Sequence, residues 1–321
     1  MKIILLICIS LTFSISANVN IVKSNNKTTL NVATFNIAGL TTFAKGTKKR
    51  IRVICNQLKK SNFEVIFLQE VWFKSGRKLF KDCGYKNILT PYGIGLKSKR
   101  KGKRKGLLNL DTGLLILSKY PFVSSAQVTK KKNPFKLNYS KNGSKKYFYD
   151  GEAAAHKGAI GAFIKKNNQP IFIATTHMVA EYNKHSYNIQ RMRQMTELRE
   201  WLLKKSLNKP IIFGGDFNSS PPPRTGHRKY NTDKIWPIVI TQIFPDEIFL
   251  EAKNLDYANL TTYPKDEKNY PLGLGVLDHL FGSFGAKPIT STIIFKEKFK
   301  IGKKSKRLSD HYGLNTVFQI N

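Results

Sequence analysis

The chain has 321 residues, and 55 Lys or Arg against 20 Asp or Glu give it a formal net charge of +35 at pH 7. This charge shows that the protein is strongly basic. It favours an anionic partner, namely nucleic acid, an anionic membrane or an acidic polysaccharide, bound in a salt-dependent way. A lysine-rich solvated surface without such a partner remains the alternative. The basic residues concentrate in residues 97–105, 130–146 and 296–307.

The N-terminal segment predicts a secretory signal peptide. A lysine and a mainly apolar run over residues 3–13 precede small residues up to Ala17. The run is shorter than the ~20 apolar residues of a spanning helix, which disfavours a membrane anchor. We therefore expect residues 1–17 to be removed, with cleavage after Ser16 as the alternative, and residues 18–321 to form a single domain that is secreted to the cell exterior or the periplasm.

The mature chain keeps two cysteines, Cys55 and Cys83. Two cysteines make neither a disulfide scaffold nor a zinc ligand set. They either pair in an oxidising compartment or stay as two buried thiols, and the sequence leaves both open. No segment after the N-terminal run is long and apolar enough to span a bilayer, so we expect a soluble protein.

Short apolar runs typical of strands alternate with two amphipathic stretches typical of helices. The predicted strands cover residues 30–36, 65–68, 112–117, 158–164, 171–176, 211–213 and 276–281. The predicted helices cover residues 50–60 and 189–204, and the second carries Met and Leu at helical spacing, as a core-facing helix does. Because strands and helices alternate before strands dominate, the pattern predicts a layered α/β fold with mixed sheets.

Polar and ionisable residues stand at or near the ends of five of these strands, and one further pair stands near a strand end later in the chain. They are Asn36, Glu70, His177, Asp216, Asp278, Asp310 and His311. Residues carried at one edge of a rigid sheet often assemble a site from distant parts of a sequence. We therefore expect these seven side chains to converge.

The segment 211–218, with the sequence IIFGGDFN, is the most informative of these strand ends. Because side chains alternate along an extended strand, Asp216 and Asn218 should point the same way and Phe217 the opposite way. The following serines and prolines also fit an ordinary Asp/Asn turn. The segment alone leaves a catalytic rim and a turn equally open.

The ordered set of motifs resembles the endonuclease/exonuclease/phosphatase superfamily over residues 30–318. The matching pieces are Phe35-Asn36, Gln69-Glu70-Val71-Trp72, Thr176-His177, Gly215-Asp216-Phe217-Asn218, Leu277-Asp278 and Ser309-Asp310-His311. This resemblance implies a four-layer α/β sandwich with two central mixed β-sheets flanked by helices. It also implies a metal-dependent phosphoric diester hydrolase.

Within the superfamily, the run THMVAEYN over residues 176–183 and the pair Lys157-Gly158 resemble the neutral sphingomyelinase branch. This implies a phospholipase C-type enzyme that splits sphingomyelin into ceramide and phosphocholine at a phospholipid membrane surface, as a monomer. A secreted metal-dependent endonuclease of the deoxyribonuclease type, acting on nucleic acid, is the alternative. A basic binding protein without catalysis is a third. His279 departs from the aromatic or Arg that is common after Asp278, which puts substrate fit in doubt.

The resemblance implies a magnesium site. Glu70, helped by Asn36, would hold Mg²⁺, a hard cation that prefers oxygen ligands. Asp310 would contact that ion or a second one, so the number of ions, one or two, stays open. Lys157 would bind the substrate.

The resemblance also implies the catalytic roles. His311 would act as general base or charge stabiliser, with Asp278 orienting its imidazole. Asp216 and Asn218 would orient the attacking water, and His177 would donate to a non-bridging phosphate oxygen. The choice of base between His311 and Asp216 stays open.

The segment 120–149 mixes aromatic residues with lysines, a pattern suited to a membrane interface or to stacking on nucleic-acid bases. Its rings include Phe122, Phe135, Tyr139, Tyr147, Phe148 and Tyr149. A plain structural flap is the alternative. The composition does not decide between lipid and DNA.

Overall fold

The computed structural model describes residues 28–39, 46–72, 74–95, 112–123, 136–139, 157–180, 185–220, 236–245, 248–252, 262 and 275–321. The predicted signal peptide lies outside these residues, as do segment 97–105 and most of segment 130–146. Within the described ranges, no helix is both long and apolar enough to cross a membrane.

The described strands and helices follow the predicted alternation. The strands are β1 (Thr28–Asn36), β2 (Val65–Gln69), β3 (Asn87–Thr90), β4 (Gly93–Ile94), β5 (Leu115–Ser118), β6 (Phe122–Val123), β7 (Lys136–Asn138), β8 (Gly158–Lys166), β9 (Gln169–His177), β10 (Ile211–Asp216), β11 (Phe249–Glu251), β12 (Asp278–Ser283), β13 (Ala286–Ile294), β14 (Phe299–Ile301), β15 (Lys304–Lys306) and β16 (Gly313–Ile320). The α-helices are α1 (Thr47–Lys60), α2 (Lys74–Leu79), α3 (His185–Ser206) and the short α4 (Trp236–Ile238). A 3₁₀ turn at Phe80–Asp82 follows α2, and a π-helical turn at Val239–Ile243 follows α4.

The first large sheet has the strand order β13-β16-β1-β2-β5-β3-β4. β1 and β2 are parallel, with Asn36 opposite Gln69, so both strands end at the same edge and Glu70 follows directly. β16 runs antiparallel to β1, with Leu314 opposite Thr34, and therefore begins at that edge. The sheet thus brings the chain before β16 to the ends of β1 and β2.

The second large sheet has the strand order β11-β12-β10-β9-β8-β6, and β7 also pairs with β8. β9 and β10 are parallel, whereas β12 is antiparallel to β10. The end of β9, the end of β10 and the start of β12 consequently lie at one edge. A separate small hairpin pairs β14 with β15.

Three apolar clusters fill the spaces between the layers. Leu30 and Val65 of the first sheet meet Ile160 and Ile212 of the second in the cluster between the sheets. Helix α1 packs on the outer face of the first sheet, and α3 packs on the outer face of the second. The order helix, sheet, sheet, helix confirms the predicted four-layer α/β sandwich with two mixed sheets.

The predicted elements are present, with ends that differ by a few residues. In segment 112–117 the strand begins only at Leu115. Gly113 has a left-handed φ of 66°, and the ring of Trp72 occupies the space that a side chain there would need. The chain therefore turns against Trp72 before it enters β5.

Two aromatic residues of the lysine-rich segment 120–149 are not at an interface. Phe122 and Tyr139 are buried, and the Tyr139 hydroxyl lies 2.5 Å from Thr176 Oγ1. The prediction that rings among lysines lie at an interface was therefore wrong at these two positions. The pairing of β6 and β7 with β8 turns both rings inward. Phe135, Tyr147, Phe148 and Tyr149 lie outside the described residues.

A disulfide joins Cys55 of α1 to Cys83, just after the 3₁₀ turn, with the two Cα atoms 4.4 Å apart. Both cysteines belong to the cluster between α1 and the first sheet. Of the two possibilities that the sequence left open, the structure contains the paired one.

Candidate active site

The side chain of Asn36, at the end of β1, joins the two large sheets. Its Nδ2 atom donates to Glu70 Oε1 at 3.2 Å and to Asp216 Oδ2 at 2.9 Å. Its Oδ1 atom accepts from the backbone N–H of Ala38 at 3.0 Å. Glu70 follows β2 of the first sheet and Asp216 ends β10 of the second, so one amide holds together carboxylates from both sheets.

Glu70 is presented by a strained turn. Its φ of 61° lies in the left-handed region that residues other than glycine rarely adopt, and such strain clusters at functional sites. Gly39 packs so closely on this turn that a Cβ there would overlap the Glu70 carbonyl oxygen. The indole Nε1 of Trp72 donates to Glu70 Oε2 at 3.4 Å. The local backbone therefore fixes where this carboxylate points.

The Glu70 carboxylate lies among charges of both signs. Partial burial raises its pKa, and the negative charge of Asp310 adds to that rise, whereas Lys157 and His311 oppose it. Within the described residues no cation contacts its oxygens directly. The site thus holds an enclosed carboxylate whose charge is only partly compensated.

Three site residues lie on one row across the second sheet. Asp216 of β10 is in register with His177 of β9 and with Asp278 of β12. Gly158, the first residue of β8, is in register with His177, so Lys157 stands just before the same row. Because neighbouring strands are about 4.8 Å apart, such a row brings their side chains within mutual reach.

His177 is buried and contacts two ionisable groups. Its Nε2 atom lies 2.8 Å from Lys157 Nζ and 3.4 Å from Asp216 Oδ2. Burial lowers the pKa of His177 well below 6.5, and the charges of Lys157 and His311 lower it further. The neutral ring accepts at Nε2 from the lysine ammonium, which can only donate. The ring proton is then on Nδ1, which has no hydrogen-bond partner among the described residues.

His311 lies between two carboxylates. Its Nδ1 atom is 2.8 Å from Asp278 Oδ2, and its Nε2 atom is 3.7 Å from Asp216 Oδ2. Burial acts to lower the pKa of His311, but the charges of Asp278 and Asp216 outweigh it and raise the pKa to about 10. Burial raises the pKa of Asp216 to about 7, against the opposing effect of His311. His311 therefore carries the proton, and Asp216 is the group able to accept another.

Asn218 is both a turn residue and a site residue. Its φ of 50° is left-handed, so the strand ends at Asp216 and the expected alternation of side chains stops there. Its backbone N–H donates to Asp216 Oδ1 at 2.9 Å, and its Nδ2 donates to the Met178 carbonyl at 2.9 Å. Phe217 packs into the outer core of the second sheet, as expected. The turn itself therefore fixes the Asp216 carboxylate.

All nine residues that the sequence predicts for the site belong to this end of the two sheets. They are Asn36, Glu70, Lys157, His177, Asp216, Asn218, Asp278, Asp310 and His311. Asp310 is exposed and accepts from the Ser309 hydroxyl at 3.2 Å. Among the described residues, its charge acts on both Glu70 and His311.

The family model described as Endonuclease/Exonuclease/phosphatase family matches residues 33–311, which include all nine site residues. The chain belongs to the endonuclease/exonuclease/phosphatase family. A relative in Drosophila melanogaster named "Putative neutral sphingomyelinase" is 25% identical over 258 residues, which cover 78% of this chain and 51% of the relative. The chain spans about half the length of the curated relatives it matches.

Solved structures share the fold of this family member. Beta toxin from Staphylococcus aureus with bound magnesium ions has a TM-score of 0.64 and 19% identity, over 90% of this chain and 99% of the toxin chain. D. rerio TDP2 complexed with a single-strand DNA product has a TM-score of 0.61 and 15% identity, over 91% of this chain and 100% of that chain. At these identities the likeness shows the fold alone.

Arg50 of α1 supports the site of this family member and was not predicted. Its guanidinium donates to the carbonyls of Ile37 and Ala38, each at 2.6 Å, and to that of Leu308 at 2.7 Å. It thereby fastens the loop after Asn36 to the loop that carries Asp310 and His311. The signal in the sequence is an arginine on the apolar stripe of an amphipathic helix, where a buried cation needs partners.

Helix α3 fixes the loop after His177 in the same indirect way. Arg191, which is fully buried, donates to the carbonyls of Val179 at 3.1 Å and Ala180 at 2.7 Å. Gln194 accepts from the Val179 backbone N–H at 3.0 Å. The first residues of the THMVAEYN run are therefore held by a helix that follows it in the chain.

The described partners of the His279 ring lie beside the site residues. Its Nδ1 lies 2.8 Å from Glu251 Oε1, its Nε2 lies 2.9 Å from the Ser219 carbonyl, and its ring stacks on Trp236 at 4.2 Å. These contacts give His279 a supporting position behind Asp278.

Proposed function

We propose that this protein is a secreted, magnesium-dependent phosphodiesterase that hydrolyses sphingomyelin to ceramide and phosphocholine. One observation supports the proposal of hydrolysis. A continuous set of contacts links an ammonium, one neutral and one protonated imidazole, and two carboxylates. These groups are Lys157, His177, His311, Asp216 and Asp278. Titratable groups whose surroundings push their pKa values apart are characteristic of acid and base catalysis.

Glu70 would hold the magnesium ion, helped by Asn36, whose Nδ2 donates to Glu70 Oε1 at 3.2 Å. The Glu70 carboxylate fits this role because the described donors to its oxygens are the neutral N–H groups of Asn36 and Trp72, and a carboxylate oxygen suits a hard cation. Bound there, the ion supplies positive charge that stabilises the negative charge developing on the phosphate and the leaving oxygen. The exposed carboxylate of Asp310 would add a ligand to that ion or hold a second one.

Asp216, Asp278 and His311 form another group whose ligand atoms lie within 4.8 Å of one another. In this group the His311 Nδ1 atom is already hydrogen bonded to Asp278 at 2.8 Å. A ring nitrogen committed to a carboxylate orients the imidazole and fixes its tautomer. We therefore interpret the group as acid and base machinery and not as the principal metal site.

The proton transfers would use the second sheet and His311. Asp216, whose pKa is about 7, would accept the proton of the attacking water. His311, whose pKa is about 10, would stabilise charge on the phosphate and give a proton to the leaving oxygen, while Asp278 holds its ring. Of the two bases that the sequence left open, this geometry favours Asp216.

Lys157 would bind a non-bridging phosphate oxygen. Its Nζ atom lies 5.7 Å from the centroid of the Trp72 ring and contacts His177, between the proposed metal ligands and the proton-transfer groups. When water is excluded from such a partly enclosed place, the electrostatic attraction between an ammonium and an anion becomes stronger. His177 then offers its Nδ1 proton to a polar atom that the described residues do not provide.

The sphingomyelin part of the proposal rests on the relative named as a neutral sphingomyelinase and on the run THMVAEYN. A metal-dependent nuclease is the second candidate, and the net charge of +35 favours it. The shared fold with a DNA-bound structure is compatible with that candidate but does not select it.

One experiment separates these functions. The purified protein is incubated with sphingomyelin vesicles and, separately, with plasmid DNA, each with Mg²⁺ and with EDTA. We expect release of phosphocholine that requires Mg²⁺. Nicking of DNA without lipid cleavage would establish the nuclease instead, and no turnover of either substrate would leave a binding protein or another phosphate ester.

Secretion is part of the same proposal. The predicted signal peptide and the disulfide between Cys55 and Cys83 both fit an oxidising compartment, where disulfides persist. Expression of the full chain in a secreting host should yield protein in the medium or periplasm that starts at Asn18 or Ala17. Retention of the intact N-terminus inside the cell would contradict this.

A further inference from the structure

The hairpin of β14 and β15 carries a concentration of unpaired positive charge. Residues 296–307 contain seven Lys or Arg and one Glu. Six of the lysines are exposed, and none of these six forms an ion pair with another described residue. Five of them lie on the hairpin or next to it, namely Lys298, Lys300, Lys303, Lys304 and Lys306.

The N-terminal half of α1 extends this charge. Lys48, Lys49 and Arg52 are exposed, and the helix sequence contains no acidic residue. At the hairpin turn, a Cβ on Gly302 would lie 3.9 Å from Lys49 Nζ, so the two elements touch. Their eight cations form one surface, here named the basic face: Lys48, Lys49, Arg52, Lys298, Lys300, Lys303, Lys304 and Lys306.

The basic face borders the active site. The hairpin runs from Lys306 directly to Leu308, whose carbonyl accepts from Arg50 at 2.7 Å, and then to Asp310 and His311. Arg50 belongs to the same helix as Lys49. One buried guanidinium therefore fixes both halves of the basic face to the loop that carries site residues.

We propose that the basic face binds an anionic phospholipid bilayer and holds the active site against the leaflet from which the substrate is taken. This inference rests on the proposed function for its purpose, but the binding itself requires no hydrolysis. A lysine near an anionic leaflet contributes about 1 kcal/mol, which is roughly a fivefold gain in binding, within a Debye length of the surface.

The chemistry of the basic face favours a bilayer over nucleic acid. Phe299 and Ile301 of β14 pack against the core beneath α1, so the described hairpin exposes no ring on which a base could stack. Seven of its eight cations are lysines, which act as flexible point charges, whereas the planar fork of arginine recognises individual phosphates and bases. A layer of mobile anionic head groups matches such a surface.

The test measures binding to vesicles that contain no sphingomyelin. Wild-type protein and the variant K300Q/K303Q/K304Q/K306Q are sedimented with vesicles of phosphatidylcholine, with and without phosphatidylserine, at low and high salt. The control variant K59Q/K60Q/K165Q/K209Q removes the same charge from exposed lysines. These four stand at the other end of α1 and at the strand ends remote from the site.

We expect wild type and control to bind the phosphatidylserine vesicles and to lose binding at high salt. Loss of four lysines from the basic face should weaken that binding by about a hundredfold or more. Hydrolysis of a soluble phosphocholine ester should stay unchanged, because none of the four lysines belongs to the active site.

Three outcomes would overturn the proposal. These are equal binding to vesicles without phosphatidylserine, an equal loss in the control variant, or a selective loss of affinity for a DNA duplex with vesicle binding intact. If the basic-face variant loses vesicle binding but wild type does not hydrolyse sphingomyelin, the docking surface stands and only the proposed substrate fails.

Discussion

A single oxygen of Asp216 is shared by three side chains of the site. Its Oδ2 atom accepts from Asn36 at 2.9 Å and lies 3.4 Å from His177 Nε2 and 3.7 Å from His311 Nε2. A change in the charge of this carboxylate is therefore felt by both imidazoles. The protonation states of these groups must be considered together.

We predict that the His311 imidazole stays protonated well above neutral pH in the metal-free protein. Its pKa of about 10 lies above the ordinary 6.5 because the charges of Asp278 and Asp216 outweigh the effect of burial. The stability that this ion pairing contributes is present in full below pH 6.5 and is lost as the pH rises through about 10. Nitrogen-15 NMR of the imidazoles measures this, and Asp278→Asn should lower the pKa of His311.

His177 is the internal comparison in that experiment. Burial lowers its pKa, so its ring should remain neutral over the range in which His311 is charged. Two histidines that titrate together near pH 6.5 would contradict the arrangement of charges described above.

The carboxylate of Glu70 gives the second prediction at this scale. Glu70→Gln should weaken Mg²⁺ binding, measured by calorimetry, by at least about tenfold, and lower turnover by about a hundredfold or more. Asp310→Asn should weaken Mg²⁺ binding less, because that carboxylate is exposed. Equal Mg²⁺ affinity in wild type and Glu70→Gln would place the ion elsewhere, with Asp216, Asp278 and His311 as the next candidates.

At the scale of elements, the helices position the site without reaching it. Arg50 of α1 joins the loop after β1 to the loop before β16, and Arg191 of α3 holds the loop after β9. Both act on backbone carbonyls. The sheets thus place the strand ends, and the two helices set the conformation of the chain beyond them.

We predict that Arg50→Lys destabilises the protein and lowers turnover together. Lysine keeps the charge but cannot donate in a fork to Ile37, Ala38 and Leu308, and hydrogen bonds from charged groups contribute about 1.5 to 3 kcal/mol each. Urea unfolding should show a loss of about 2 to 4 kcal/mol. Arg52→Lys, on the exposed side of the same helix, is the matched control and should leave both unfolding and turnover unchanged.

Strand-end residues could be predicted from the sequence because an apolar run marks each strand and the polar residue after it marks the edge. The register that aligns His177, Asp216 and Asp278 could not, since it depends on which strands become neighbours. Arg50 and Arg191 escaped prediction because their partners are carbonyls, which every residue possesses. Composition misled at Phe122 and Tyr139, since rings among lysines do not reveal which face of a strand is buried.

At the scale of the whole molecule, the disulfide adds stability in a place remote from the site chemistry. It closes a loop of 28 residues between α1 and the turn after α2. Cross-linking a loop of this length stabilises the folded state by about 3 to 4 kcal/mol in the chain-entropy model.

We therefore predict that C55A/C83A unfolds at a lower urea concentration than wild type by an amount that corresponds to about 3 kcal/mol. Turnover of a soluble substrate at room temperature should remain close to wild type, because neither cysteine contacts a site residue. An unfolding midpoint that is unchanged, or that fails to fall in reduced wild-type protein, would show that the pairing contributes nothing.

The pairing of β1 with β16 sets Thr28 opposite Ile320. The two ends of the described chain therefore lie next to each other. The fold does not require the chain to start at β1. A short linker from Asn321 to Thr28 with a new start at Asn168, in the exposed turn between β8 and β9, would give a circular permutant with the same neighbours in both sheets. That turn lies at the opposite end of β8 and β9 from Lys157 and His177, so the order in which the residues are synthesised can change while the site is still assembled.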